Sequence, residues 1–151
     1  MGTRGERARQ LFCAGYNCSQ AVVAAFCDLL QMDEKTALKL SSSFGGGMGR
    51  LREVCGAVSG MFMVAGLLYG YTDPKDNAAK KEHYALIQEL ARRFSEQNGS
   101  IVCRELLGLG AGHGGPTPTV RNAAFYKKRP CADLVADAAD LMEYMIRQRA
   151  K

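Results

Sequence analysis

"EVCGAVSGMFMVAGLLYG", residues 53–70, decides the fold of this 151-residue chain. Between Val54 and Tyr71 no side chain carries a formal charge, which puts the stretch at the lower edge of the length needed to cross a bilayer. Its apolarity is modest, because it contains Ser59 and the glycines Gly56, Gly60, Gly66 and Gly70, and it is a single occurrence. It therefore reads as a buried central helix and not as a membrane span. Small residues four apart share one helix face and let a neighbouring backbone come close. Cys55 stands at the mouth of this helix, and three readings are open for it: a small core residue, a metal ligand, or a nucleophile that the helix end activates.

Upstream, Ala8, Leu11 and Phe12 predict a short helix over residues 5–14. The segment "NCSQAVVAAFCDLLQ", residues 17–31, predicts a second, capped by Asn17 and striped by Val22, Val23, Phe26, Leu29 and Leu30. Asp33 is expected to cap a third, which runs to about Ser42. The chain then breaks at "SFGGGMGR", residues 43–50. A phosphate loop needs a Gly-Lys-Ser or Gly-Lys-Thr ending and a preceding strand, and a dinucleotide fingerprint needs a βαβ unit; neither is present. The segment reads instead as a tight loop over helix ends, whose stacked N–H groups could touch an oxyanion or a sulfur.

Downstream, "YTDPKD", residues 71–76, predicts a helix start with Asp73 as N-cap and Pro74 in the first turn. Tyr84, Ile87, Leu90, Ala91 and Phe94 mark its inner face, and Gly99 ends it. A short helix is expected around residues 103–107. Residues 108–130, "GLGAGHGGPTPTVRNAAFYKKRP", have the composition of a long loop, and such loops are often functional or mobile. A last helix opens at Pro130 and runs to about Arg149, with Leu134, Val135, Ala138, Leu141, Met142 and Met145 facing inward. With 47% apolar residues, no Trp, 8% aromatics and no long β-branched runs, the chain is expected to be all-α. The expected architecture is a compact multi-helix bundle around the glycine-rich central helix, in one domain over residues 1–151.

The net charge of +5 does not point to nucleic acid, because the basic residues are scattered and no aromatic-plus-basic face accompanies them. The N-terminal "MGTRGERARQ" has no apolar region of the secretory kind, so a cytoplasmic setting is expected. There the six cysteines would stay reduced, and they read as metal ligands, redox thiols or core residues.

Cys18, Cys55, Cys103 and Cys131 each fall in or near the first turn of an expected helix, where unpaired N–H groups and the helix dipole stabilise a thiolate. Cys13 and Cys27 read as core fillers. No C-x-x-C pair exists, so the four thiols can meet only through the tertiary fold. If they meet, two chemistries are available: an iron–sulfur or other thiolate-bound metal centre, and a thiol–disulfide relay. Of the two imidazoles, His83 reads as a surface or packing residue, and His113 reads first as a residue of the long loop, with a role as base or ligand at a cysteine site the less favoured alternative. Met48, Met61, Met63, Met142 and Met145 read as core.

In order along the chain, "NCSQAV", "FGGGMGR", "CGAVSGMFMVAGLLYG", "VCREL" and "RPCADLV" resemble the C_GCAxxG_C_C family of redox-active proteins. The resemblance spans roughly residues 11–145. It implies a helical, cytoplasmic protein, often associated with transporter genes, with a related domain in a class of cytochromes. It also implies that Cys18, Cys55, Cys103 and Cys131 are the functional cysteines, with Cys13 and Cys27 outside the pattern.

The leading expectation is thiol–disulfide exchange with a redox partner, with Cys55 as attacking thiol and the four sulfurs gathered beside the loop of residues 44–50. The alternatives are a cysteine-ligated iron–sulfur or soft-metal electron carrier or sensor, and a non-catalytic adaptor for a transporter.

Overall fold

The computed structural model describes residues 3–110 and 114–151. In chain order it has helices α1 (Thr3–Cys13), α2 (Cys18–Ala24), α3 (Cys27–Leu30) and α4 (Glu34–Ser41), then the single turn α5 (Gly45–Met48). Helices α6 (Gly56–Tyr69), α7 (Asn77–Asn98), α8 (Cys103–Leu106), α9 (Ala123–Lys128) and α10 (Cys131–Arg149) follow. The protein is all-α. Its only extended pairing among the described residues is one antiparallel bridge, Val54 with Val102.

Helix α6 is the centre of the bundle. Gly56 to Met61, Val64 and Ala65 are buried in it, and α2, α7 and α10 pack on its sides. The glycines set one of these contacts. A Cβ at Gly56 would lie 3.0 Å from the Cys18 Cβ, and one at Gly60 would lie 2.9 Å from the Ser19 carbonyl oxygen. The start of α2 can therefore rest directly on the start of α6, as the four-residue spacing predicts. Gly66 meets no heavy atom within 4 Å and plays no part in this contact. No described helix is long and apolar enough to cross a membrane.

Around α6 the core is filled by Phe12, Phe26, Met61, Leu90, Phe94 and Met142, all essentially inaccessible to solvent. Helix α10 packs along α1 and also touches α2, α6 and α7, so the last helix closes the bundle against the first.

Local signals explain several of the helix ends. Asn17 and Gln20 form a reciprocal cap on α2: Asn17 Oδ1 accepts from Gln20 N–H at 2.9 Å, and Gln20 Oε1 accepts from Asn17 N–H at 3.1 Å. Asp33 caps α4 by accepting from Thr36 N–H at 3.0 Å. Gly99, at φ +94°, ends α7.

Four expectations need correction. The second helix does not run through to Gln31: the chain turns at Phe26, whose ring is buried beneath the Arg4 guanidinium, and Leu29 beyond the turn is exposed. The long helix starts at Asn77, not at Pro74. Asp73 closes a turn by accepting from Lys75 N–H at 2.9 Å, and Asp76 takes the capping role by accepting from Ala79 N–H at 2.9 Å. The inner face of α7 is Leu86, Leu90 and Phe94, while Tyr84 is exposed and hydrogen-bonds the Tyr71 hydroxyl. The long loop contains a helix of its own, α9, capped by Asn122 accepting from Phe125 N–H at 2.9 Å.

The glycine segment has an unusual backbone. Gly46, Gly47, Met48, Gly49, Arg50 and Arg52 all take positive φ, between 60° and 72°. Three of these carry side chains, a conformation that costs of order 1–3 kcal/mol each. Carbonyls inside the segment hold it: Gly45 accepts from Arg50 N–H and Gly47 accepts from Glu53 N–H at 2.9 Å. Gly47 is obligatory for a second reason, because a Cβ there would stand 2.6 Å from the Cys103 Cβ.

Candidate functional site

Each of Cys18, Cys103 and Cys131 is the first residue of its helix, and Cys55 is the residue that caps α6. Local chemistry puts them there. Asn17 caps the turn that Cys18 opens, and Pro130, which cannot extend a helix backwards, precedes Cys131. The Val54–Val102 bridge aligns the other two: Cys55 N–H donates to the Ile101 carbonyl at 2.8 Å, and Cys103 N–H donates to the Glu53 carbonyl at 2.6 Å.

The four helix starts meet at one place. Cys18, Cys55, Cys103 and Cys131 together line a cavity of about 30 Å³, walled on the remaining sides by Gly46, Gly47, Arg52 and the leucines of α8 and α10. That volume is roughly one water molecule. Gly56 permits the approach of Cys18, and Gly47 permits that of Cys103. No disulfide joins any of the six cysteines.

The thiols are not equivalent. Cys55 is 4% exposed, and burial pushes its thiol up to about 12, although the N–H groups of Ala57 and Val58 at the helix start pull the other way. Burial of Cys55 thus works against the expectation that the helix end activates it, since desolvation of a thiolate opposes the pull of the helix-start N–H groups. Cys131 behaves in the opposite sense. Its hydrogen bond with Cys18 draws it down to about 7, and the guanidiniums of Arg129, Arg121 and Arg52 act in the same direction against burial. Cys18 moves well upward, first because it shares its proton with Cys131 and then through burial. Within the pair the anion is therefore favoured at Cys131, at the start of the 19-residue helix α10, and the proton at Cys18.

Arg52 supplies the buried charge of the site. It is 5% exposed, its Nη1 donates to Cys103 Sγ at 3.6 Å, and its Nε has no hydrogen-bond partner among the described residues. A buried cation without a carboxylate is costly unless an anion stands nearby, and here sulfur is the group presented to it.

A larger cleft of about 310 Å³ opens beside the cavity and shares Cys18, Cys131, Gly46 and Arg52 with it. Arg50, Arg121 and Arg129 stand around its walls, as do the rings of Phe12 and Phe125. These arginines are the site residues that the sequence reading missed. A usable signal existed: Arg50 and Arg52 flank the glycine segment just ahead of Cys55, and Arg129 precedes Pro130–Cys131.

The other cysteines stand apart. Cys13 is exposed at the end of α1, which corrects its reading as a core filler; α1 ends there, so its side chain lies past the buried face. Cys27 is half-buried and starts α3, its thiol weakly donating to the Val23 carbonyl at 3.9 Å. His83 is half-buried on α7, edge-on to Tyr71, and His113 lies outside the described residues. Among the described residues no group of three or more His, Cys, Asp or Glu side chains is arranged to hold a metal ion. The four sulfurs are a soft donor set, but a guanidinium already takes one side of their cavity, and the space between them is small for a cluster.

Neither the curated proteins nor the solved structures contain a match to this chain. A family model described as "Putative redox-active protein (C_GCAxxG_C_C)" does match, over residues 16–145. That span starts just before the capped Cys18 and ends within the helix that Cys131 opens, so all four cavity cysteines fall inside it. The chain belongs to the redox-active C_GCAxxG_C_C family.

Proposed function

We propose that the protein carries out thiol–disulfide exchange, with Cys131 as the attacking thiolate and Cys18 as the resolving thiol. The observation that carries this reading is the hydrogen-bonded Cys18–Cys131 pair, placed at two helix starts on a cleft that Arg52, Arg121 and Arg129 also line. A thiol with a pKa near ambient pH combines a large thiolate fraction with useful nucleophilicity.

The Cys131 thiolate attacks one sulfur of a substrate disulfide, forms a mixed disulfide and expels the other half as a thiolate. The Cys18 proton passes to that leaving group or to water. Cys18, now a thiolate, attacks the Cys131 sulfur and releases the second half. The two cysteines are oxidised to a disulfide, and the substrate gains two electrons and leaves as two thiols. A dithiol on a partner protein resets the pair, and a reducing, cytoplasmic compartment suits that resting state. Cys55 and Cys103 line the same cavity as this pair and are buried.

Treating the reduced protein with a small neutral disulfide, quenching with acid and mapping the products by mass spectrometry tests this. The expected product is a peptide cross-linked through Cys18 and Cys131, with Cys131 carrying the mixed disulfide in Cys18→Ser. Modification of the exposed Cys13 ahead of Cys131 would overturn the assignment.

A second reading, a thiolate-bound iron–sulfur cluster or soft metal, draws on the four sulfurs that share one cavity. Anaerobic purification and reconstitution, followed by metal analysis and a visible spectrum, separate it from exchange. Stoichiometric metal that is lost on replacing these cysteines by Ser would put the metal centre in place of the relay.

A further inference from the structure

The cleft beside the thiol pair has a composition that exchange chemistry alone does not require. Its walls carry Arg50, Arg52, Arg121 and Arg129, and among the described residues no Asp or Glu lines it. The partners of these guanidiniums are neutral. Arg50 donates through Nε to the Gly115 carbonyl at 3.1 Å and through Nη1 to Thr119 Oγ1 at 2.9 Å. Arg121 donates through Nη2 to the Tyr16 carbonyl at 2.9 Å and stacks over the Phe12 ring at 4.1 Å. Arg129 lies over the Phe125 ring at 5.7 Å. Arg52, more than nine-tenths buried, keeps an unpartnered Nε at the junction of cleft and cavity. Mutual repulsion with Arg52 and Arg129 adds to burial in pulling the Arg50 guanidinium below its usual range.

Four guanidiniums set around the single anionic site at Cys131 leave positive charge in excess in a half-enclosed space. A further anion stabilises such a group, and guanidiniums bind carboxylates through paired N–H donors. Phe12, Phe125, Pro116 and Pro118 complete the walls with apolar surface suited to a short aliphatic chain. A volume of about 310 Å³ admits a small molecule and not a folded segment of protein.

We infer that this cleft binds a low-molecular-weight disulfide bearing carboxylate groups and presents its sulfur–sulfur bond to Cys131. The inference rests on the exchange reading for its chemistry, and the electron balance is the one given above: two electrons from Cys18 and Cys131 to the bound disulfide. Arg50 and Arg129 clamp the carboxylate, Arg52 holds charge at the inner end, and Phe125 with Pro116 and Pro118 seats the carbon chain.

The test compares three small disulfides that differ in charge: dianionic 3,3′-dithiodipropionate, neutral 2-hydroxyethyl disulfide and dicationic cystamine. With reduced wild-type protein, the dianion is expected to oxidise the pair at least about tenfold faster than the neutral compound, the worth of one charge-assisted hydrogen bond, with the dication slowest. Added salt and Arg50→Gln should both shrink the ratio of dianion to neutral rates. A ratio near one with fast oxidation by all three would overturn the charged cleft and leave the exchange reading standing. Calorimetry on the Cys18→Ser/Cys131→Ser variant, which cannot exchange, supplies the converse: saturable binding of 3,3′-dithiodipropionate and none of cystamine is expected. Inert wild-type thiols with binding retained would remove exchange but keep the anion site, whereas absence of binding would remove the site.

Discussion

Arg52 Nη1 reaches the sulfur of Cys103 at 3.6 Å in the interior, and none of the ion pairs among the described residues involves Arg52. Its charge is felt by Cys131 across the same cavity. Replacing it with a neutral side chain of similar length, Arg52→Met, is expected to raise the pH midpoint of Cys131 alkylation from about 7 toward the ordinary thiol value. Rates of iodoacetamide modification followed against pH read this directly, and an unmoved midpoint would disconnect the buried guanidinium from the thiolate.

Cys18→Ala should raise that midpoint further than Arg52→Met does, because the hydrogen bond from Cys18 is the largest influence holding Cys131 down. The same alkylation titration checks the order of the two variants. Equal shifts would mean that the guanidiniums, and not the neighbouring thiol, set the reactivity.

Cys55 makes stability depend on pH in alkaline solution. Its folded value is raised to about 12, against 9.0 for a free thiol, so its contribution is complete below pH 9 and is lost as pH rises toward 12. In that window the unfolded chain has released a proton that the native chain retains, and stability falls by about 1.4 kcal/mol per pH unit. Denaturant melts of the reduced protein from pH 8 upward should show the decline, and Cys55→Ala should make it shallower, leaving the part that Cys18, also raised, contributes.

The glycines of α6 divide into two kinds. Gly60→Ala would press a methyl to 2.9 Å from the Ser19 carbonyl and 3.0 Å from Val22 Cβ, and Gly56→Ala would press one against Cys18 and the Phe44 carbonyl, each at 3.0 Å. Each should cost about 1–3 kcal/mol by overpacking. Gly66→Ala meets nothing and should instead stabilise by about 0.5–1 kcal/mol through helix propensity. Thermal melts of the three variants give the contrast, and a uniform response would contradict the close contact between α2 and α6.

Several features of this arrangement were legible from local chemistry. Asn17 before Cys18 and Pro130 before Cys131 announce helix starts within a few residues, and the glycine spacing of Gly56 and Gly60 announces a close neighbour. What stayed hidden depends on contacts between distant segments. Arg121 becomes part of the site only because its loop folds back to donate to the Tyr16 carbonyl, and Arg129 only because α9 turns the chain toward Cys18. The reactivity order of the thiols was hidden for the same reason: the helix start at Cys55 is visible in the sequence, but the burial that opposes it is a property of the packed core.

Cys18 opens the second helix and Cys131 opens the last, so the thiol pair is a contact of high sequence separation. Closing such a contact costs loop entropy, which the packing of the intervening chain must offset. The guanidiniums that draw down Cys131 come from the glycine segment and from the residues ahead of α10, and they too arrive only with docking of that helix. A nascent or partly folded chain thus carries only ordinary, weakly nucleophilic thiols. The activated sulfur exists only where α10 is docked against α2 and the arginines around it, which makes thiolate reactivity a direct reporter of that packing.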